Sequence, residues 1–101
     1  MILYNVTVGI DKEVESDWLE WMRSKHIPDV MATGMFTSYK MFKVLSQEEE
    51  GSTSYSVQYF AETVEDVVKY LDHFSAPLVR EHLDRYKDRH VAFRTLLEQV
   101  G

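Results

Sequence analysis

The sequence contains no cysteine, which excludes disulfide bracing and thiol chemistry. Glycine and proline are scarce, at four and two residues. They are too few for low-complexity linkers, and they form no phosphate-cradling glycine loop. No serine sits in a nucleophile-elbow pattern. No stretch approaches the ~20 consecutive apolar residues of a membrane-spanning helix, so none is expected. The chain enters an alternating pattern at Ile2, without the basic and apolar regions of a secretory leader. Positive charge is also short: 11 Lys and Arg face 17 Asp and Glu, for a net charge of −6. The basic residues are scattered singly among acids, which argues against nucleic acid and anionic membranes as partners. A cytoplasmic protein is the expectation.

The histidines His26, His73, His82 and His90 show neither an H-x-x-x-H nor an H-x-H spacing, so no metal site is expected. His82 or His90 could serve as an axial haem ligand, but no haem-linked motif accompanies them. No cofactor is expected.

What is present is an apolar content of 45% in 101 residues, enough for one domain over residues 1–101 with a single core. Ile2 to Ile10 alternate strictly, with Ile2, Tyr4, Val6, Val8 and Ile10 on one face, and predict the first strand. Asp11 stands at the N-cap position of a first helix. That helix holds both tryptophans. At about 100° per residue, Trp18, Leu19, Met22 and Val30 fall within about 120° of one another, and His26 lands inside this stripe. Pro28 disfavours the α conformation at Ile27 and predicts an end or kink there, with Pro28 opening a further short turn. Thr33-Gly34 is a stop signal.

Residues 35–46 read as a second strand and Thr53 to Ala61 as a third. The acidic run Glu48 to Ser52 between them reads as a solvated hairpin loop. Thr63 caps a second helix, whose apolar stripe is Val64, Val67, Val68, Leu71 and Phe74. Ser75-Ala76-Pro77 breaks it, and Leu78, Val79, Leu83 and Tyr86 fit a further helical segment. Lys87-Asp88-Arg89 is a turn, and His90 to Gln99 a fourth strand. The order βαββαβ, with right-handed crossovers, predicts an α+β ferredoxin-like fold. Its four-stranded antiparallel sheet has spatial order 4-1-3-2 and both helices on one face.

The opposite face of the sheet is then expected to carry Leu3, Asn5, Thr7, Ser56, Gln58, Phe60, Arg94 and Leu96. This mixture is too apolar for simple exposure, and it predicts a homodimer with the two sheets face to face. The alternative is a monomer with a solvated open sheet.

Several strings carry a resemblance: Trp18-x-x-Trp21-Met22-x-x-x-His26-Ile27-Pro28 followed by Thr33-Gly34-x-Phe36, then Val57-Gln58-Tyr59-Phe60, and Ala92-Phe93-Arg94-Thr95-Leu96. Together they resemble a short bacterial family of unknown function in the dimeric α+β barrel superfamily. The resemblance spans essentially the whole chain. It implies the ferredoxin-like fold and the sheet-to-sheet homodimer, and it implies no established activity. The wider superfamily includes cofactor-independent monooxygenases, polyketide cyclases, haem-binding enzymes and stress proteins. His26-Ile27-Pro28 is similar to a pattern in its ring-degradation and cyclase branches, where a histidine can line a cleft between helices and sheet. Fold-level likeness of this kind is a prior, not a mechanism.

His26 is therefore the leading candidate for a site. A catalytic role requires it to open onto a cavity, to be oriented by an acid or carbonyl, and to titrate near neutrality. Tyr59 or Tyr39 could then supply a phenolic proton. The bland alternative is a histidine bonded to backbone where Pro28 interrupts the helix. Trp18 and Trp21 could stack on a flat ligand, with Met22 beside them. Helical spacing favours core packing for Trp18, whereas Trp21 lies roughly 60° off the stripe and fits a rim. Arg94 could hold an anion or a cross-sheet carboxylate. Two functions follow. In one, a homodimer binds a small apolar or aromatic molecule without catalysis. In the other, a cofactor-independent oxygenase, cyclase or isomerase acts on a small aromatic or polyketide-like acid, with His26 as general base.

Overall fold

The computed structural model describes residues 1–46 and 49–101, so Glu48 of the acidic connection lies outside the described residues. Strand β1 (Ile2–Asp11) pairs antiparallel with β3 (Ser52–Ala61) on one side and with β4 (His90–Glu98) on the other. Strand β2 (Ser38–Lys43) pairs with β3, giving the order β2-β3-β1-β4. The helices α1 (Glu15–Trp21), α2 (Ile27–Ala32), α3 (Val64–His73) and α4 (Ser75–Arg85) cover one face. The fold is α+β and ferredoxin-like, in the order expected from the hydrophobic periodicity.

The alternation of β1 places Ile2, Tyr4, Val8 and Ile10 in the core. Asp11 stands at the N-cap position of a 3-10 turn over Lys12–Val14 that leads into α1, but its side chain makes no capping hydrogen bond. Strand β1 runs through Asp11, whose carboxylate accepts from Arg89 Nε at 2.8 Å. The helical layer does not stop at Pro28. Between α1 and α2 the backbone widens into a π-helical turn over Met22–His26, in which Ile27 N–H reaches Met22 O. Proline has no N–H, and its ring clashes with the carbonyl four residues back. The wide turn re-spaces the carbonyls just before Pro28, which sits in the first turn of α2. The inserted residue also keeps Trp18, Met22, Ile27 and Val30 all buried. Thr33 and Gly34 end the layer, with Gly34 at φ 77°.

Strand β2 is shorter than the apolar run that encodes it. Phe36 leaves the strand and fills the core, its ring 4.9 Å from Tyr70 and 5.3 Å from Tyr59. Thr63 caps α3 as expected, its Oγ1 accepting from Asp66 N–H at 3.2 Å.

Two facings differ from expectation. Helix α3 buries Val67 and Tyr70, whereas Val64, Val68 and Leu71 are 40–47% exposed. The helix is rotated toward Tyr70, because that ring meets Tyr4 and Phe36. In β4, Arg94 pairs with Val6 and Leu96 with Tyr4, which places both on the helix side of the sheet. The open face instead carries Val91, Phe93, Thr95 and Leu97. A strand's facing changes with a one-residue shift, and both faces of β4 mix apolar with polar residues. The tight turn before it, with Asp88 at φ 62°, sets the phase.

Candidate ligand cleft

A cavity of about 470 Å³ lies between the helical layer and the sheet. Its floor is Tyr4 and Val6 of β1, Val57 and Tyr59 of β3, and Ala92 and Arg94 of β4. The helices contribute Met22, His26, Tyr70 and His82, and His90 stands where the β4 turn closes one end. The volume falls in the range of small-molecule sites.

The three histidines share the cavity but not their surroundings. His82 Nε2 lies 2.9 Å from Trp18 Nε1. An indole nitrogen only donates, so Nε2 accepts and the proton of His82 resides on Nδ1. Burial lowers its pKa to about 3, and His90 and His26 push in the same direction. His26 stacks on Trp21, with ring centroids 5.1 Å apart and planes 29° apart. Its Nδ1 is buried without a partner. Burial lowers its pKa to about 4 against the opposing pull of Glu81 and Asp29. His90 Nδ1 is 2.8 Å from Tyr86 O. The His90 ring stands edge-on to His82, with centroids 4.6 Å apart.

Tyr4, Tyr59 and Tyr70 form the apolar end. Burial raises the pKa of all three phenols, so they remain neutral donors at pH 7. At Tyr4 the charge of Arg94 works against burial. The Tyr59 hydroxyl is buried and has no hydrogen-bond partner among the described residues. Among the described residues, the ion pairs join Lys25 to Asp29 and Glu81, Arg85 to Asp17, and Arg89 to Asp11 and Glu13. Arg94 takes part in none of them.

Of the residues singled out from the sequence, His26, Met22, Tyr59 and Arg94 converge on this cavity. Arg94 reaches it from the helix side, not from the open face. Trp18 is fully buried and packs on Tyr55 at 5.1 Å, behind His82. Trp21 backs His26 and does not line the space. Tyr39 is 45% exposed on β2, away from the cavity. Among the described residues His26 makes no hydrogen bond to backbone, which departs from the bland alternative for it.

Sequence reasoning overlooked Tyr4, Tyr70, His82 and His90 as cavity groups. A signal existed for His82: Val79, His82 and Tyr86 follow one helical stripe, which puts an imidazole on the buried face of α4. His90 gave no such signal, because only the turn positions it.

Solved structures share this fold. An ethyl tert-butyl ether d (ethd) family protein of Bacillus halodurans is 10% identical, with a TM-score of 0.70, over 99% of this chain and 100% of that one. A dimeric ferredoxin-like protein from an uncultured marine organism is 12% identical, with a TM-score of 0.69, over 100% and 96%. SnoaB of Streptomyces nogalater, a cofactor-independent oxygenase, is 8% identical, with a TM-score of 0.61, over 97% and 93%. Identities this low speak to the fold alone. No curated protein matches the sequence. Residues 1–100 match the family described as Domain of unknown function (DUF4286), and the chain belongs to that family.

Proposed function

We propose that residues 1–101 form a single domain that binds a small apolar or aromatic molecule in the cleft between helices and sheet. The observation that carries this is the pairing of a cavity of about 470 Å³ with two buried polar atoms, His26 Nδ1 and Tyr59 Oη, that lack partners in its walls. Buried polar groups in folded proteins are almost always satisfied. A ligand with a polar atom among apolar ones supplies what these two lack. Arg94 is the anchor for an acidic ligand, and Met22 is an adaptable wall.

The domain acts as a homodimer through its open sheet face. Phe42 and Phe93 are 51% and 63% exposed there, at the margins of a polar centre where Ser56 Oγ donates to Asn5 Oδ1 at 2.5 Å. Covering those rings removes apolar surface that a monomer leaves in water. A dimeric ferredoxin-like protein of the same fold supports this arrangement. The cysteine-free composition agrees with a cytoplasmic setting.

The second reading is cofactor-independent oxygenation, cyclisation or isomerisation of an aromatic or polyketide-like acid, with His26 as base and Tyr59 as proton donor. It is favoured by the histidines on the cavity wall and by a cofactor-independent oxygenase among the proteins of similar fold. A His26 pKa of about 4 makes that ring a weak base at pH 7. Binding is therefore the preferred reading.

Native mass spectrometry of freshly purified protein tests both features. The expected result is a dimer with an added small mass that is lost on denaturation. A monomer overturns the sheet-to-sheet assembly. A dimer that carries no added mass, and takes up neither 2-naphthoate nor naphthalene, overturns the ligand cleft.

A further inference from the structure

The three cavity histidines differ in what their ring nitrogens meet. Trp18 occupies His82 Nε2 from the core side. Protonating that nitrogen would set two donors against each other, so His82 stays a neutral Nδ1–H ring. His26 has no hydrogen-bond partner among the described residues to orient it: Nδ1 is buried and unpartnered, and the ring is held by stacking on Trp21 and by an edge contact with His82 at 5.7 Å. His90 differs from both. Its Nδ1 lies 2.8 Å from the Tyr86 carbonyl, which can only accept. Nδ1 therefore carries the proton, and the Nε2 lone pair is left free on a ring that lines the cavity.

We propose that His90, and not His26, is the group that accepts a proton from a bound ligand, and that the ligand carries an acidic hydroxyl directed at His90 Nε2. This rests on the cleft reading above. The step is a simple transfer. The ligand O–H bond breaks as the Nε2–H bond forms, and the ligand is left as an oxyanion in the cavity that Arg94 also lines. The Nδ1–H of the imidazolium keeps its hydrogen bond to the Tyr86 carbonyl, which holds the ring with Nε2 toward the ligand. The Trp18–His82 bond has a part in this. A charged His82 ring at 4.6 Å would oppose the charge forming on His90, and the indole keeps His82 neutral. Trp18 and His82 are thus positioning residues, and His90 is the contact.

Long-range nitrogen–proton NMR of the imidazoles in the full chain, with 4-nitrophenol as probe, tests the assignment. 4-Nitrotoluene, which has a methyl in place of the hydroxyl, serves as control. In the ligand-free protein His82 and His90 are both expected as Nδ1–H tautomers. 4-Nitrophenol is expected to move the His90 Nε2 resonance toward the protonated position, with no protonation of His26. His90→Gln should weaken 4-nitrophenol about tenfold, as for one hydrogen bond to an ionisable group. It should leave 4-nitrotoluene unchanged, which also reports that the variant is folded. A free His90 with its proton on Nε2 overturns the assignment, as does a ligand response at His26 alone. Equal binding of the two probes overturns it and leaves the cleft reading standing. Binding of neither probe overturns both.

Discussion

The indole N–H of Trp18 donates to Nε2 of His82 at 2.9 Å, across 64 residues of chain and inside the core. One bond thereby ties α1 to α4 and fixes the tautomer of an imidazole in the cavity wall. Trp18→Phe removes the donor and leaves a buried acceptor. The expected outcome is a loss of about 1–3 kcal/mol in urea unfolding. The His82 titration should also move upward from about 3, toward an ordinary imidazole, when followed by NMR. An unchanged His82 titration would show that burial alone sets its charge.

Stability should fall in mild acid. His26 and His82 have folded pKa values lowered to about 4 and about 3 from 6.5. Below pH 6.5 the unfolded chain therefore binds more protons than the folded one, and stability rises with pH across that window. Their contribution is fully present above pH 6.5 and is lost as pH falls toward 4 and then 3. Urea midpoints measured from pH 7 to pH 4 should decline by an amount worth a few kcal/mol. His26→Phe should flatten part of that slope. An identical slope in the variant would mean that the carboxylates account for it.

Phe36 and Phe42 lie six residues apart and should respond oppositely. Phe36 is buried against Tyr4, Tyr59 and Tyr70. Phe36→Ala should cost about 3–5 kcal/mol by chemical denaturation. Phe42 is 51% exposed on the open face. The double change Phe42→Ser and Phe93→Ser should leave the secondary structure intact. By light scattering it should shift the protein from dimer to monomer. A variant that remains dimeric would place the interface elsewhere.

Gly34 has φ 77° and no heavy atom within 4 Å of the position a Cβ would take. Gly34→Ala should therefore cost only the backbone term, about 1–2 kcal/mol, measured as a lowered urea midpoint. A loss well above that would reveal a steric role for the glycine.

Arg94 gives the most direct test of ligand charge. It lines the cavity and is bound to no carboxylate among the described residues. Arg94→Met should weaken 2-naphthoate about 10- to 100-fold in calorimetry, the range for a charged hydrogen bond, and leave naphthalene unchanged. Equal effects on both would mean that the arginine stem packs but its charge does not select.

The sequence by itself determined the element order, the strand pairing order and the core face of β1. These follow from period-two and period-3.6 patterns and from local signals such as Thr63 and Gly34. It also placed His26 on a buried stripe, because that required only helical geometry. Tertiary structure decided everything that depends on phase between elements. Both faces of β4 mix apolar with polar residues, so only the turn at Asp88 put Arg94 on the cavity side. The α3 stripe was ambiguous until Tyr70 met Tyr4 and Phe36. The roles of the three histidines lay beyond the sequence for the same reason. Each is set by what one of its ring nitrogens meets: an indole from α1, the Tyr86 carbonyl, or no protein group among the described residues. The indole reaches His82 across 64 residues, and the Tyr86 carbonyl meets His90 only because the turn between them closes, so no hydrophobic period in the chain encodes either.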